Sequence, residues 1–363
     1  MAPFKSSLAR SAGKLFGVPR ERDLSLRGYT QSSRTPIPPF SATGGTVLTP
    51  GNGYKYHMFT TPGSLAVSGS SGSVDYLIIG GGGSGGNAPD NGSYQNAGGG
   101  GAGEFLTGQI SSLQVASYPI TIGAGGLYTG GPQGDAPYPS KQGWYGGNGG
   151  GSTFNAPGAN GVSALDAAGG GSGGGGSNQP SSFFGQVGGS AGGGGGYASD
   201  PPSTIAGSGD QYTPGTSSFP SPANGWGSDT IYETKGSGGG GAGQKGGNGN
   251  SGEVGGAGLT AFNGDTGIPS SYGTPGPSAG RWFAGGGGRG ADHPSSNGPY
   301  AGGVGGGGAG GVITPGPARI GTTATANTGS GGGGAGADNY PTPSATGKGG
   351  NGAAGIVIIR YAV

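Results

Sequence analysis

The chain has no cysteine. That removes disulfide staples, thiolate metal sites and a cysteine nucleophile. Charge is scarce: Asp, Glu, Lys and Arg make up 9% of the residues, against about 25% in an average domain. A typical disordered tail is rich in charge and does not have this composition. Hydrophobic residues other than glycine are also few, at 29%, where about 40% is usual once glycine's share of about 7% is set aside. They cannot coat the layers of a helix bundle, a TIM barrel or a conventional two-domain enzyme. No run of about 20 apolar residues is present, so no transmembrane helix and no membrane insertion are expected. Nor does the N-terminus carry the apolar core of a secretory signal. Residues 1–20 are basic and acid-free, a pattern shared with transit peptides, but they are assigned here to docking. The two histidines, His57 and His293, have no catalytic setting: His57 lies in a strand-like run and His293 precedes a proline. Acidic residues are scattered, with no close pair suited to acid–base work. No enzyme activity, cofactor or metal is expected.

What the chain has is glycine: 102 of 363 residues, about four times the usual share of about 7%. Collagen is excluded, because it needs glycine at every third residue. Here the glycines form solid runs at 80–83, 98–101, 173–176, 192–196, 238–241, 285–288, 305–308 and 331–334. GGGGAG recurs at 98–103, 238–243, 305–310 and 331–336, and GGNG at 146–149, 246–249 and 349–352, with no fixed period. That pattern fits many short rods joined by connections of varied length, not a solenoid with a set repeat. Ordering glycine is costly, roughly 0.5–1 kcal/mol per residue relative to alanine in regular structure. The runs are therefore either flexible linkers or something that only glycine permits. The second option is a polyglycine II bundle. Its rods are extended left-handed helices with three residues per turn, and their outward N–H and C=O groups bond to several neighbours at once. Any Cβ facing a neighbour would hold the rods apart. Single Ala, Ser and Asn interruptions are expected on outward positions.

Strands are predicted at Thr46–Thr49, Tyr54–Thr60, Ser64–Val67, Val74–Ile79, Tyr118–Ile122 and Ile356–Tyr361. The apolar runs Val74–Ile79 and Ile356–Tyr361 look covered on both faces. They bracket all the glycine runs and are expected to share one sheet and close the domain. The fold class is mainly β plus irregular structure: a small sheet or sandwich carrying a polyglycine II-type bundle with long aromatic loops. Four parts follow: 1–43, a basic docking segment with a Pro-rich spacer; 44–79, the strand region; 80–355, the glycine-rich region; and 356–363, the closing strand.

The charge is uneven. Residues 1–35 hold seven basic and two acidic groups, for +5, and the remaining nine basic and thirteen acidic groups give −4. In the first segment Phe4, Leu8, Ala12 and Leu15 recur at the spacing of one helix face. With Lys5, Arg10, Lys14, Arg20, Arg22 and Arg27 they are the candidate docking residues. The net charge of +1 gives no field for nucleic acid. Gly80-x-Gly82-x-x-Gly85 after a strand is half of a dinucleotide-binding fingerprint, but Asn87-Ala88-Pro89-Asp90 cannot open the helix that would hold a pyrophosphate. The aromatics between glycine runs are the candidate contact residues: Tyr128, Trp144, Tyr145, Trp226, Tyr232, Trp282, Phe283 and Tyr300. Tyr and Trp offer rigid contact area with a polar handle, and loops on a stiff scaffold commonly carry recognition.

Tyr54-Lys55-Tyr56-His57-Met58-Phe59-Thr60, followed by Val74-Asp75-Tyr76-Leu77-Ile78-Ile79-Gly80-Gly81-Gly82-Gly83, resembles the opening of the glycine-rich domain of phage tail-fibre and virion proteins. Ile120-Thr121-Ile122-Gly123-Ala124-Gly125-Gly126 and Gly355–Tyr361 resemble its later landmarks. Phe4–Arg34 resembles a virion-attachment segment of tailed phages that infect cyanobacteria or other marine bacteria. The resemblance implies a non-enzymatic component of the virion surface, on capsid or tail. Its N-terminus would bind capsid, portal or tail proteins, and its loops a host glycan or protein. A homo-oligomer is expected. The alternative is a capsid or tail decoration with no receptor role.

Overall fold

The computed structural model describes residues 37–88, 95–128, 144–156, 164–176, 185–196, 236–247, 254–291, 299–312, 319–337 and 347–363. The described residues form twelve strands: β1 (Ser41–Thr43), β2 (Thr46–Leu48), β3 (Tyr54–Phe59), β4 (Gly63–Ser68), β5 (Gly72–Ile79), β6 (Phe105–Leu113), β7 (Ser117–Thr121), β8 (Ser152–Phe154), β9 (Leu165–Ala167), β10 (Leu259–Thr260), β11 (Trp282–Phe283) and β12 (Ile356–Ala362). They form two five-stranded antiparallel sheets, in the orders β1-β4-β7-β8-β9 and β2-β3-β12-β5-β6, and a β10-β11 pair.

The two apolar strands do share a sheet: β12 pairs with β5, Ile356 opposite Ile79 and Arg360 opposite Asp75. Their side chains alternate between two cores, as period-two geometry requires. Val74, Tyr76, Ile78, Val357, Ile359 and Tyr361 face the first sheet and meet Leu65, Tyr118, Ile120 and Phe154. Leu77, Ile79, Ile356 and Ile358 face the other way, against Ala261, Ile268 and Phe283. Burial on both faces accounts for the continuous apolar runs.

Where side chains give way to glycine, the strands continue as rods without losing register. The β5–β6 ladder ends at Ile79 opposite Phe105. It is followed by N–H donation from Gly80 to Glu104, Gly83 to Gly101 and Gly86 to Gly98. The β12–β5 register likewise continues as Gly82 to Ala353, Gly85 to Gly350 and Ala88 to Gly347. The remaining donors of this rod, Gly81, Ser84 and Asn87, bond Gly150, Gly147 and Trp144. Three successive N–H groups thus point to three different rods, and each direction recurs every third residue. That is polyglycine II geometry, with three residues per turn.

The 80–88 rod also accepts bonds: from Gly170, Gly173 and Gly176 of one rod, from Gly332 and Ala335 of a second, and from Gly126 of a third. The 97–104 rod is surrounded in the same way. It donates to segments 168–174, 237–240 and 329–335, and it accepts from 80–86, 190–196 and 287–290. Each central rod therefore has six neighbours, parallel and antiparallel. Buried backbone groups are paired without a hydrophobic core.

Glycine serves here through its lack of volume. None of Gly80–Gly86 has a left-handed φ. An added Cβ at Gly85 would overlap the Gly333 carbonyl, and at Gly100 the Gly83 carbonyl. One expectation is corrected. Most of the Ala, Ser and Asn interruptions do not point outward: Ser84, Asn96, Ala97, Ala102, Ser172, Ser237, Ser330 and Ala335 are all buried, while Ala124 and Asn148 are exposed, as expected. Small side chains occupy positions where the lattice opens, and several replace a backbone partner. Ser84 Oγ accepts from Gly147 N–H at 2.8 Å, Ser237 Oγ from Gly194 N–H, and Asn96 both accepts from Gly236 N–H and donates to the Gly290 carbonyl. Ala88, Ala97 and Ala335 meet in a small apolar cluster between three rods. Two further differences concern boundaries. The glycine-rich middle contains the nine-residue β6 and the β10-β11 unit, and β1 begins inside the segment expected to be spacer.

Candidate functional site at the two ends of the scaffold

Strand direction gives the molecule two unlike ends. β5, β7 and β9 run toward the rods, and β6, β8 and β12 run back from them. At the end of the bundle away from the sheets, the described rods stop and restart around segments 89–94, 129–143, 177–184, 197–235, 248–253, 292–298, 313–318 and 338–346. We call this the far end. The opposite end, the base, holds the entry of the N-terminal segment. Ser41 pairs with Ser68, the last residue of β4. Phe40 packs edge-on against Tyr361 near the end of β12, with ring centroids 4.8 Å apart. The C-terminus also lies at the base.

The expected contact residues divide between these ends. Tyr128, Trp144 and Tyr145 flank segment 129–143 at the far end. Tyr128 N–H donates to Asn351 Oδ1 at 2.7 Å, and Lys348 Nζ stands 5.5 Å from the centre of its ring. The Trp144 carbonyl accepts from Asn87 N–H. Tyr145 is exposed, with neighbouring Leu127. Tyr300 follows segment 292–298, and the buried Arg289 guanidinium lies 4.3 Å over its ring. These contacts hold aromatic rings beside cations at the exits of the connecting segments. Trp226 and Tyr232 lie outside the described residues, within the segment that joins the far end at Gly196 and Gly236.

Trp282 and Phe283 are elsewhere. They form β11 beside the sheets, and Phe283 is fully buried in the second core. Its side chain has no surface to offer, because the apolar face of the second sheet takes it as a lid. Trp282 is half-buried and packs over Gly276. The docking residues Phe4, Lys5, Leu8, Arg10, Lys14, Leu15, Arg20, Arg22 and Arg27 lie outside the described residues, as does His293.

A charged cluster that the sequence did not reveal pins the β10-β11 unit to the second sheet. Arg360 Nε bonds Asp75 Oδ2 at 3.0 Å, and its Nη1 pairs with Asp265 Oδ2. Its guanidinium lies between the rings of Tyr54 and Phe262, 4.3 and 4.2 Å from their centres. The Tyr56 hydroxyl donates to Asp265 Oδ2, and Asn52 Nδ2 donates to the Tyr56 oxygen at 2.6 Å. Burial pushes the Asp265 carboxyl up, but bonds from Tyr56, Gly267 N–H and Arg360 outweigh it and hold the group below its ordinary value. Burial, followed by the Asp265 carboxylate, pushes the Tyr56 phenol up. The one visible hint was Arg360 itself, a lone charge in an otherwise apolar strand.

His57 is buried in the sheet, its Nδ1 2.8 Å from the Gly44 carbonyl and its ring stacked on Tyr361. Burial lowers its pKa, with a smaller contribution from Lys55. Gly80, Gly82 and Gly85 lie in a rod whose N–H groups are all engaged by other rods, so they cradle no phosphate. Among the described residues no three His, Cys, Asp or Glu side chains are grouped to hold a metal ion. No described helix is long and apolar enough to cross a membrane.

Fold and ends together define a class of scaffold: a β-sandwich whose strands run on into a lattice of polyglycine rods. The chain belongs to the glycine-rich domain family, whose model matches residues 60–362. The match begins directly after β3 and ends within β12, so it spans all the rods. No curated protein matches the chain.

Proposed function

We propose that the protein is a non-enzymatic phage virion component, a fibre or adhesin on the capsid or tail surface. Residues 1–43 would anchor it to capsid, portal or tail proteins, and the far end would present aromatic segments to a host-surface glycan or protein. The observation that carries this reading is the separation of ends. The described chain begins at the base, where the basic N-terminal segment joins it, while the connections of varied length, with Tyr128, Trp144, Tyr145 and Tyr300 beside them, join the far end. A rod lattice between them provides the rigid spacing that loop recognition needs. The resemblance of Phe4–Arg34 and of the domain's opening strands to virion proteins supports the particle context.

Purified protein applied to host cells tests the reading. The expected result is saturable cell binding and a block of infection that is lost when Trp144 and Tyr145 are both replaced by alanine. Absence of binding and of competition at high concentration would leave the purely structural decoration as the role. Deleting residues 1–35 should abolish incorporation into particles while preserving cell binding.

A further inference from the structure

Among the described residues, β6 is the longest open sheet edge. The other sheet edges, β1, β2 and β9, have three residues each, whereas β6 has nine, Phe-Leu-Thr-Gly-Gln-Ile-Ser-Ser-Leu. It carries none of the charges or prolines that usually protect an edge. Bonded pairs alternate along an antiparallel ladder. The Gly80-to-Glu104 bond sets the phase, so Leu106, Gly108 and Ile110 turn their backbone groups to β5. Phe105, Thr107 and Gln109 turn theirs outward, and none of these has a backbone partner among the described residues.

A groove of about 490 Å³ lies along the same edge, lined by Asp75, Thr107, Gln109, Phe262, Asn263 and Arg360, among others. The ion-paired cluster of Asp75, Arg360 and Asp265 carries one net negative charge, and of its two carboxylates Asp75 lines the groove, which inclines the groove toward a cation. A free edge beside a side-chain groove is the arrangement for strand addition. The backbone ladder supplies affinity, and alternate side chains entering the groove supply specificity.

We propose that the occupant is the basic N-terminal segment of a second copy of this chain, added to β6 as a sixth strand. Charge supports it: residues 1–35 carry +5 and the rest of the chain −4. So does position. Phe40 packs over Gly72, the register partner of Leu113 at the end of β6, so the segment leaves the described chain beside this edge. Its sequence also fits. In Leu24-Ser25-Leu26-Arg27-Gly28-Tyr29, residues alternate in type. Arg27 on one face would enter the groove, while Leu24 and Leu26 on the other would cover the rim of the first core at Leu106 and Ile110. A chain's own segment laid back along β6 would run parallel to it, because β6 itself runs toward the base. Exchange between two copies across a two-fold axis permits antiparallel pairing, which is slightly more stable per residue, and makes both ladders at once. Phe4, Leu8 and Leu15 remain available to a particle protein.

Sedimentation or light scattering of the full chain tests the exchange, together with a labelled peptide of residues 20–34. The expected mass is that of two chains. Gln109→Pro, which deletes an outward N–H at an edge that tolerates proline, and Arg27→Glu should each shift the protein toward one chain, with the melting temperature of the monomer's sheets retained. The peptide should bind the Arg27→Glu protein at least tenfold more tightly than the same peptide carrying Glu at position 27. Arg27→Glu changes no residue of the described sheets, so it stays informative if Gln109→Pro fails to fold. A single-chain mass at micromolar concentration overturns the proposal. So does a two-chain mass unmoved by Arg27→Glu, or peptide binding indifferent to the charge at position 27.

Discussion

The sandwich and the rod bundle are built on one set of strand registers, yet they are held together by opposite means. In the sandwich, β5 and β12 pair within a sheet, and side chains such as Leu77 and Ile358 fill the space on either side. One residue beyond Ile79 the side chains stop and the same pairings continue. Neighbouring layers then come close enough to hydrogen bond: Gly81 of the β5 extension reaches Gly150, on the extension of β8 in the other sheet. Cohesion passes from apolar area, worth about 25 cal/mol per Å², to a backbone lattice in which each unpaired buried group would cost about 1–3 kcal/mol. A methyl group is therefore valuable in one region and intolerable in the other.

That contrast is open to direct attack, and the largest effect should come from the sandwich. Ile358→Ala removes fully buried apolar atoms and should lower stability by about 2–5 kcal/mol in denaturant titration. Gly85→Ala adds one methyl against the Gly333 carbonyl and should cost about 1–3 kcal/mol, although alanine is otherwise the easier residue to order. Asp265→Asn loosens the Arg360 pairing and should cost about 1.5–3 kcal/mol, with early unfolding of the β10-β11 unit seen by the fluorescence of Trp282.

Acid should act on the sandwich before the rods, in two stages. The His57 pKa is lowered in the fold. The unfolded chain therefore takes up its proton first, and stability falls as pH drops below about 6.5. His57→Phe should remove this stage from a pH series of melting temperatures. Asp265 is also held below its ordinary value. Its contribution is complete above the unfolded carboxylate pKa of about 4 and is lost as pH falls through the folded value. The smallest effect is expected at Gly63→Ala, where the new methyl meets only the Phe59 ring at ordinary contact distance and φ is not left-handed. It should be neutral or stabilise by about 0.4–1 kcal/mol.

The sequence made the β5–β12 closure legible, because two β-branched runs apolar on both faces need cover on both sides. It made the rods legible because solid glycine runs have few ordered uses. β6 was missed: only four of its nine residues are apolar and they do not alternate regularly, Gly108 interrupts the run, and as an edge strand it carries a weak apolar pattern. β8 and β9 are three residues each, too short for any period to register. The buried interruptions were misjudged because lattice gaps depend on which rods meet, and no single rod records that. The Arg360–Asp265 pair joins residues far apart in the chain, so only the folded sheet brings them together. Among the aromatics, Phe283 and Tyr300 look alike in sequence. One closes a core and the other lies at the far end, a difference set by which rod terminus each follows.

Amide hydrogen exchange tests the lattice most directly. Residues 81–86, 98–103 and 331–336 should exchange as slowly as the amides of β5 and β12, since each N–H is bonded and buried between neighbouring rods. Exchange of these glycines at the rate of an unstructured chain, with β5 and β12 protected, would contradict the lattice.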